Sequence, residues 1–446
     1  MYFFYSIAYS LGFLLMVPAF LLNRQKYASG FRQRLGNYPE FDHDERNVIW
    51  LHCVSVGETN AARTLVDKLL ESFPNYRLVI STTTKTGQEL AKKIFAGKAD
   101  AVFYFPFDWK FSVRRALKHF KPTLVLLMET EIWPLFIREA KLNGSKIAIV
   151  NGRLSERSFR RYSKIRNFIS RVLADIDLAL MQTEKDSMRI GLLGLPPERS
   201  RVCGNLKFDL QIEKSESALT QEFDQRFGLS DDRALIVAAS THEPEERWLL
   251  EAYCSIAAGE SRLKPRLLIA PRHPERFETV AKLVREFRSD HACEWNRYSF
   301  GRRSAEADES DKDADVVLLD SIGELRAVYP LAEIVFVGGS LIPHGGQSVL
   351  EPAAAGKAIV IGQFVHNFEE VVSTFKGNNA LIQLAESVAD RIVDDLFMNI
   401  SDLLEDAGIR RDLGRNALRV MIENRGATTK TIEFLGSLIL FQKTEK

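Results

Sequence analysis

Short runs of apolar, often β-branched residues recur along this chain of 446 residues, and between them apolar positions fall on one face of a helix. The first series is Val48 to Val54, Leu78 to Ile80, Val102 to Phe105, Leu124 to Leu127, Ile147 to Val150 and Leu178 to Leu180, with amphipathic stretches such as Ala61 to Leu70 and Phe136 to Leu142 between runs. Apolar strands that alternate with helices predict a parallel sheet covered on both faces. The rhythm breaks from about Leu210 to Asp232, where Glu, Ser, Gln and Asp dominate. It resumes with Ala234 to Ala239, Leu267 to Ala270, Val316 to Leu319, Ile334 to Val337 and Ile359 to Ile361. The pattern predicts an α/β chain of two Rossmann-like domains facing a cleft, over residues 23–209 and 233–446, joined by a linker at 210–232. A last helix, about Ile432 to Phe441, is a candidate to cross back over the junction.

Ligands of open parallel sheets bind outside the carboxyl ends of the strands, and polar residues collect at those ends here. In the first domain they are Ser55 to Glu58, Ser81 to Gly87, Glu129-Thr130-Glu131 and Asn151-Gly152-Arg153. In the second they are Ser240 to Glu243, Pro271-Arg272-His273, Asp320 to Glu324, Gly338-Gly339-Ser340 and Gly345 to Pro352. Neither a G-x-x-x-x-G-K-[ST] loop nor a G-x-G-x-x-G turn follows the first strand of either domain. Asp175-Ile176-Asp177 and Asp313-Ala314-Asp315 have the D-x-D spacing of metal-dependent sugar transfer, but each precedes a strand, so both are expected to be solvated turns. The eight histidines include no pair at i, i+3 or i+4, so no metal site is expected. A serine-hydrolase elbow is broken by Cys53; Ser55 is expected to tie down its loop.

Composition narrows the classes. A net charge of +1 gives no whole-molecule attraction to nucleic acid. The four cysteines (Cys53, Cys203, Cys254, Cys293) form no C-x-x-C pair and fit a reducing compartment. The charged, serine-rich Arg302 to Asp315 reads as a solvated loop. Residues 1–22 carry no charge and supply about the ~20 apolar positions of a bilayer span; Arg24, Lys26, Arg32 and Arg34 follow. This order predicts a single-pass N-terminal transmembrane helix over 1–22 and catalytic domains on the cytoplasmic side. Ser6, Ser10, Gly12 and Pro18 leave an amphipathic or buried helix as the alternative.

Further motifs make the reading more specific: Phe31-Arg32-Gln33-Arg34-Leu35-Gly36, Ser55-Val56-Gly57-Glu58, Phe105-Pro106-Phe107-Asp108, Glu129 to Pro134, Asn151 to Ser155, Gly204 to Asp209, Pro271 to Arg276 and Gly338 to Pro352. In this order and spacing the chain resembles the bacterial 3-deoxy-D-manno-octulosonic acid (Kdo) transferases of lipopolysaccharide synthesis, membrane-anchored glycosyltransferases of GT-B fold. It departs from them at Leu135, where Asn is common, and at Gln347-Ser348, where His-Asn is common. Ser348 is still expected to cap the following helix.

The resemblance implies an inverting transfer of Kdo from CMP-Kdo to the primary hydroxyl of a lipid A precursor (lipid IVA). It places the proton acceptor at Glu58 and the transition-state residues at Glu129 and Lys207. It places CMP binding at Pro271, Arg272, Ile322, Gly323, Glu324, Ser348, Val349, Leu350 and Glu351. Arg272 is expected to fork onto the phosphate, with backbone N–H groups near Gly323 and Ser348 facing the same anion at helix starts, and Glu351 to accept from ribose hydroxyls. No metal or other cofactor is expected, since CMP-Kdo is a substrate. Glu58, early in its helix, is expected to have a lowered pKa. Arg153, Arg157, Arg160, Arg161 and Lys164 are candidate cations for an anionic lipid acceptor. The alternatives are a membrane-associated GT-B transferase using a UDP-sugar, or a non-catalytic nucleotide-binding scaffold.

Overall fold

A computed structural model describes residues 1–22, 29–209, 214–229, 233–259, 264–290, 298–386 and 389–444; within these the side chains of 17–22, 214–216, 288–290, 389 and 440–444 are not described. Arg24, Lys26 and Cys293 lie outside the described residues. The chain forms two compact units, one of Met1–Asp209 with Asn424–Lys446, the other of Leu210–Glu423.

The first unit holds seven strands: β1 (Asn47–Cys53), β2 (Tyr76–Thr82), β3 (Ala101–Tyr104), β4 (Pro122–Met128), β5 (Lys146–Gly152), β6 (Leu178–Met181) and β7 (Ser200–Val202). All pairs are parallel, in the order β3-β2-β1-β4-β5-β6-β7. Successive residues of β1 serve opposite faces: Trp50 enters one core with Phe103, Phe120 and Phe136, while Leu51 enters the other with Leu65, Ile80 and Leu435. Burial on both faces is why the strands read as unbroken apolar runs. Trp50 is fully buried and its indole N–H donates to Ser81 Oγ at 2.7 Å, so truncating it to Ala would cost about 3–5 kcal/mol. Hydroxyl side chains at Ser55, Thr84, Ser155 and Thr183 cap the helices that start after them.

The second unit repeats the plan with β8 (Leu235–Thr241), β9 (Arg266–Pro271), β10 (Phe300–Arg302), β11 (Val316–Leu318), β12 (Ile334–Val337), β13 (Ala358–Ile361) and β14 (Ile382–Gln383). Its order is β10-β11-β9-β8-β12-β13-β14, again all parallel. The edge strands β7, β10 and β14 have three, three and two residues and left no run in the sequence.

Several expectations are corrected. The stretch 210–232, expected as a linker, carries the helix Lys214–Phe227, whose Phe223 and Phe227 are fully buried; it clusters with the second unit. The helix Ala427–Thr444, counted with residues 233–446 but a candidate to cross back, clusters with the first unit: Ala427, Leu435 and Ile439 lie in its core, and Asp209 accepts from Gly426 N at 2.7 Å and Thr428 N at 2.6 Å. Arg302 to Asp315 is exposed from Ser304 to Ser310, as expected of a solvated loop, but it is not solvated throughout: Arg226 pairs with the buried Asp311 at 2.8 Å and donates to the carbonyls of Arg302 and Arg303. Nor are Asp175 and Asp177 solvated: Arg138 reaches Asp175 at 3.0 Å, and Asp177 accepts from Ile147 N at 2.9 Å and Lys141 at 2.7 Å.

Among the described residues no helix is long and apolar enough to cross a membrane. The N-terminal helix Tyr2–Leu22 instead has two unlike faces over its described side chains. On one, Tyr5 donates to the buried Asp108 at 2.7 Å, Ser10 accepts from Trp109 Nε1 at 3.0 Å, and Tyr2 and Phe13 meet Phe168 and Trp109 edge to face. On the other, Phe3, Phe4, Ile7, Leu11, Leu14 and Leu15 are exposed.

Candidate active site

Each sheet changes the direction of its strand order beside its first strand, between β1 and β4 in one unit and between β8 and β12 in the other. Such switch points open a crevice at the strands' carboxyl ends. In the first unit, β1 delivers the chain to Ser55, which caps the helix Val56–Ser72. Ser55 Oγ donates to Glu58 Oε1 at 3.1 Å, and Val54 N donates to Glu58 Oε2 at 2.7 Å. These bonds fix the carboxylate, which is only 6% exposed. Contrary to the expected lowering, burial pushes the Glu58 pKa up to about 8, with help from the charges of Glu129 and Glu131; the Val54 N–H and Ser55 hydroxyl oppose the rise without overcoming it.

Glu129 follows β4 with φ at 53°, a left-handed conformation costing about 1–3 kcal/mol for a residue of this kind. Its N–H donates to Val150 O at 2.9 Å, so the strained turn is held by the neighbouring strand. Lys207 Nζ stands 4.0 Å from Glu129 Oε1, at the outer limit of an ion pair. Asn205 Oδ1 accepts from Lys207 N and Asn151 Oδ1 from Leu206 N, each at 3.0 Å, and Asn151 itself has φ at 55°. Glu58, Glu129 and Lys207, far apart in sequence, therefore belong to one group of charges at one sheet end. Glu131 joins it, its pKa raised by burial and then by Glu129. Its place beside Glu129 in a polar strand end was the only sequence signal for Glu131; Asn151 gave no signal for its bond to Leu206.

In the second unit, Pro271 ends β9 and Arg272 is exposed beside it, its N–H donating to Thr241 O at 3.0 Å. Ile322 is 74% exposed and Gly323 has φ at 87°. Glu324 is already engaged: Arg303 donates to both its oxygens at 2.9 and 3.0 Å and holds its pKa down. Glu351 accepts from Arg326 at 2.8 Å. Val349 and Leu350 bury their side chains, so they can offer a ligand backbone only. The expected helix starts open helices of four residues, Leu325–Val328, and five residues, Leu350–Ala354, too short for more than a weak dipole. Ser348 Oγ accepts from Leu350 N at 3.3 Å, one residue before the cap position.

Sequence reasoning missed Glu245. This fully buried carboxylate accepts from His242 N at 2.9 Å, Gly339 N at 2.7 Å, and Ser340 N and Leu341 N at 3.0 Å each. It clamps the glycine-rich turn after β12 to the first turn of the helix Glu245–Ala258. Beside it the buried Glu246 accepts from Thr241 Oγ1 at 2.9 Å and from Arg276 at 2.6 Å. Among the described residues no group of three or more His, Cys, Asp or Glu is placed to hold a metal ion.

A family model described as 3-deoxy-D-manno-octulosonic-acid transferase (kdotransferase) matches residues 29–210, the segment that contains Glu58, Glu129 and Lys207. The chain is 33% identical over 92% of its length to a 3-deoxy-D-manno-octulosonic acid transferase of Haemophilus influenzae, covering 91% of that protein. The chain belongs to the Kdo transferases. A second member, from Bordetella pertussis, is 29% identical over 87% of this chain and 86% of its own. As a Kdo transferase the chain is a glycosyltransferase, and its two-sheet α/β fold is GT-B-like. A glycosyltransferase of Rickettsia africae matches it with a TM-score of 0.54 at 12% identity, over 89% of this chain and 99% of the other. The UDP-GlcNAc 2-epimerase of Neisseria meningitidis does so with 0.55 at 13%, over 88% and 100%. These two likenesses concern the fold alone.

Proposed function

We propose that this Kdo transferase moves Kdo from CMP-Kdo to the primary hydroxyl of a lipid A precursor, with inversion at the anomeric carbon, as a step of lipopolysaccharide synthesis. The observation that carries the reading is Glu58: a carboxylate fixed by two hydrogen bonds and raised to about 8 by burial binds a proton readily once ionised. An alcohol is a poor nucleophile, and a positioned base is worth roughly 10²–10⁴-fold. Glu58 takes the hydroxyl proton as the oxygen attacks the anomeric carbon; the bond from that carbon to the phosphate breaks, and CMP leaves with the electron pair. Positive charge on the sugar ring is met by Glu129. Lys207 and Arg272 stabilise developing negative charge. Pro271, Ile322 to Glu324 and Ser348 to Glu351 hold the nucleotide, the buried Val349 and Leu350 through their backbone. With the cationic work given to these side chains, the reaction needs no divalent ion.

For the acceptor, the helix Glu156–Ser163 lines a shallow depression with Glu156, Arg157, Arg160 and Arg161, continued by Lys164; Arg160 donates to Glu156 at 3.0 Å, and the excess of cations suits an anionic headgroup. The exposed apolar face of the N-terminal helix, from Phe3 to Leu15, attaches the enzyme to the cytoplasmic side of the bacterial inner membrane. The test is incubation of purified protein with CMP-Kdo and lipid A precursor, read by mass spectrometry of the lipid. A lipid heavier by one or more Kdo units supports the reading, and an unmodified lipid refutes it. Protection by CMP but not UDP separates it from a UDP-sugar transferase.

A further inference from the structure

Three histidines with no role so far meet at the switch point of the second sheet. His242 follows β8, His273 follows β9, and His344 lies in the glycine-rich turn after β12. The His242 ring centroid is 4.1 Å from that of His344 and 5.3 Å from that of His273. The two loops are pressed together, since a Cβ at Gly338 would stand 2.5 Å from Ser240 O. His344 also closes over the turn, its ring carbon 3.3 Å from where a Cβ at Gly339 would be.

Two observations ask for a ligand. His242 is 7% exposed, yet its Nε2 is buried with no hydrogen-bond partner, and an unmade bond of a buried polar group costs about 1–3 kcal/mol. Meanwhile the N–H groups of Gly339, Ser340 and Leu341, which in an open glycine turn would face an incoming anion, are occupied by Glu245. The side-chain donors at this strand end are the imidazoles, and Arg272 next to His273 in sequence.

We propose that His242, His273 and His344, together with Arg272, seat the phosphate of the nucleotide donor and take up a proton from the medium as it binds. The inference rests on the donor reading above and adds residues to it. Without ligand, burial and then the neighbouring His344 depress His242 to about 4, so the His242 imidazole is neutral at pH 7. His344, His273 and Arg276 face His242 with positive or potential positive charge. The anions of this corner are committed elsewhere: Glu245 to backbone N–H groups, and Glu246 to Arg276 at 2.6 Å with Glu243 3.8 Å from the same guanidinium. Glu275 stands 3.8 Å from His273. A bound phosphate adds negative charge to a corner otherwise set against imidazolium, so its arrival raises the imidazole pKa values.

The test is calorimetric titration of the full-length protein with CMP at pH 7.5 in HEPES and in Tris, phosphate-free buffers of unlike ionisation enthalpy. We expect the native protein to take up a measurable fraction of a proton per CMP. The exposed His344→Gln and the buried His242→Gln should each weaken CMP about tenfold, the loss of one charge-assisted contact, and abolish most of the uptake. His344→Gln lies on the surface and keeps the test decisive should His242→Gln misfold. Native affinity and native uptake in His344→Gln would overturn the inference while leaving the donor reading intact. Failure of the native protein to bind CMP would overturn both.

Discussion

Between β1 and β4 the first unit gathers Glu58, Glu129 and Glu131; between β8 and β12, the corresponding strands of the second sheet, the side chains are His242 and His344, with Arg272 just after the neighbouring β9. Both places sit where a parallel sheet reverses its order, and both rest on a strained non-glycine residue, Glu129 with φ at 53° and Ser240 at 56°. The fold supplies the crevice twice and leaves its charge to be written by the loops. Carboxylates crowded together raise one another's affinity for protons, which suits a base; burial and the neighbouring His344 lower that affinity at His242. On the proposed reading, proton removal falls to the first unit and the phosphate to the second.

The strongest way to break the contrast is at Glu58. Glu58→Gln keeps the shape and should lower turnover by at least ~10²-fold while CMP affinity stays near native; near-native turnover would remove Glu58 as the base. In the native enzyme, kcat/KM should rise about tenfold per pH unit up to a bend near pH 8, because the ionised form is the active one. The same shift bears on stability. A folded pKa near 8 against about 4.3 unfolded means that stability is full below the unfolded value and is lost as pH rises through the folded one. Glu58→Gln should therefore melt higher than the native protein at pH 9 and show little difference at pH 4, and a melting temperature below native at pH 9 would contradict the burial argument.

On the other side of the comparison, Arg272→Ala should weaken CMP about tenfold or more through loss of a charge-assisted contact, with a smaller change in turnover at saturating donor; calorimetry that finds native affinity would take Arg272 out of the site. Smaller still is the effect expected of Tyr5→Phe, which removes the hydroxyl on Asp108. It should cost about 1–2 kcal/mol, seen as a melting temperature lower by a few degrees in detergent, and an unchanged melt would mean that the N-terminal helix is not docked in solution. Thorough EDTA treatment should have no effect on turnover, and activity that returns only with Mg²⁺ would mean that cation work has been wrongly given to Lys207 and Arg272.

How much of this was legible in the sequence depended on the range of each interaction. The apolar runs marked the long central strands, because burial on both faces writes itself into consecutive residues. Edge strands as short as Ile382–Gln383 left no such mark. Ser55 and Glu58 were readable as a turn, since their contacts are local. Glu245 was not, because the turn it clamps lies 94 to 96 positions away. The direction of the Glu58 shift was misread by weighing the helix N-terminus without the burial that outweighs it. In the N-terminal run the polar breaks, Ser10 among them, left an amphipathic helix open as the alternative, and the hydroxyls of Tyr5 and Ser10 mark the face that meets protein.

Asp209 has a wider consequence. The first unit stops at Asp209 and resumes at Asn424, and the Asp209 carboxylate holds the N–H groups of Gly426 and Thr428. Where the chain departs and where it returns are thus stapled together, as at the neck of a domain inserted into a host. The 214 residues of Leu210–Glu423 could be exchanged for a short tether with little loop-closure entropy to overcome, and a donor module from another transferase could be grafted at the same neck. The neck thus lets the inserted unit be replaced while the host unit keeps its own core.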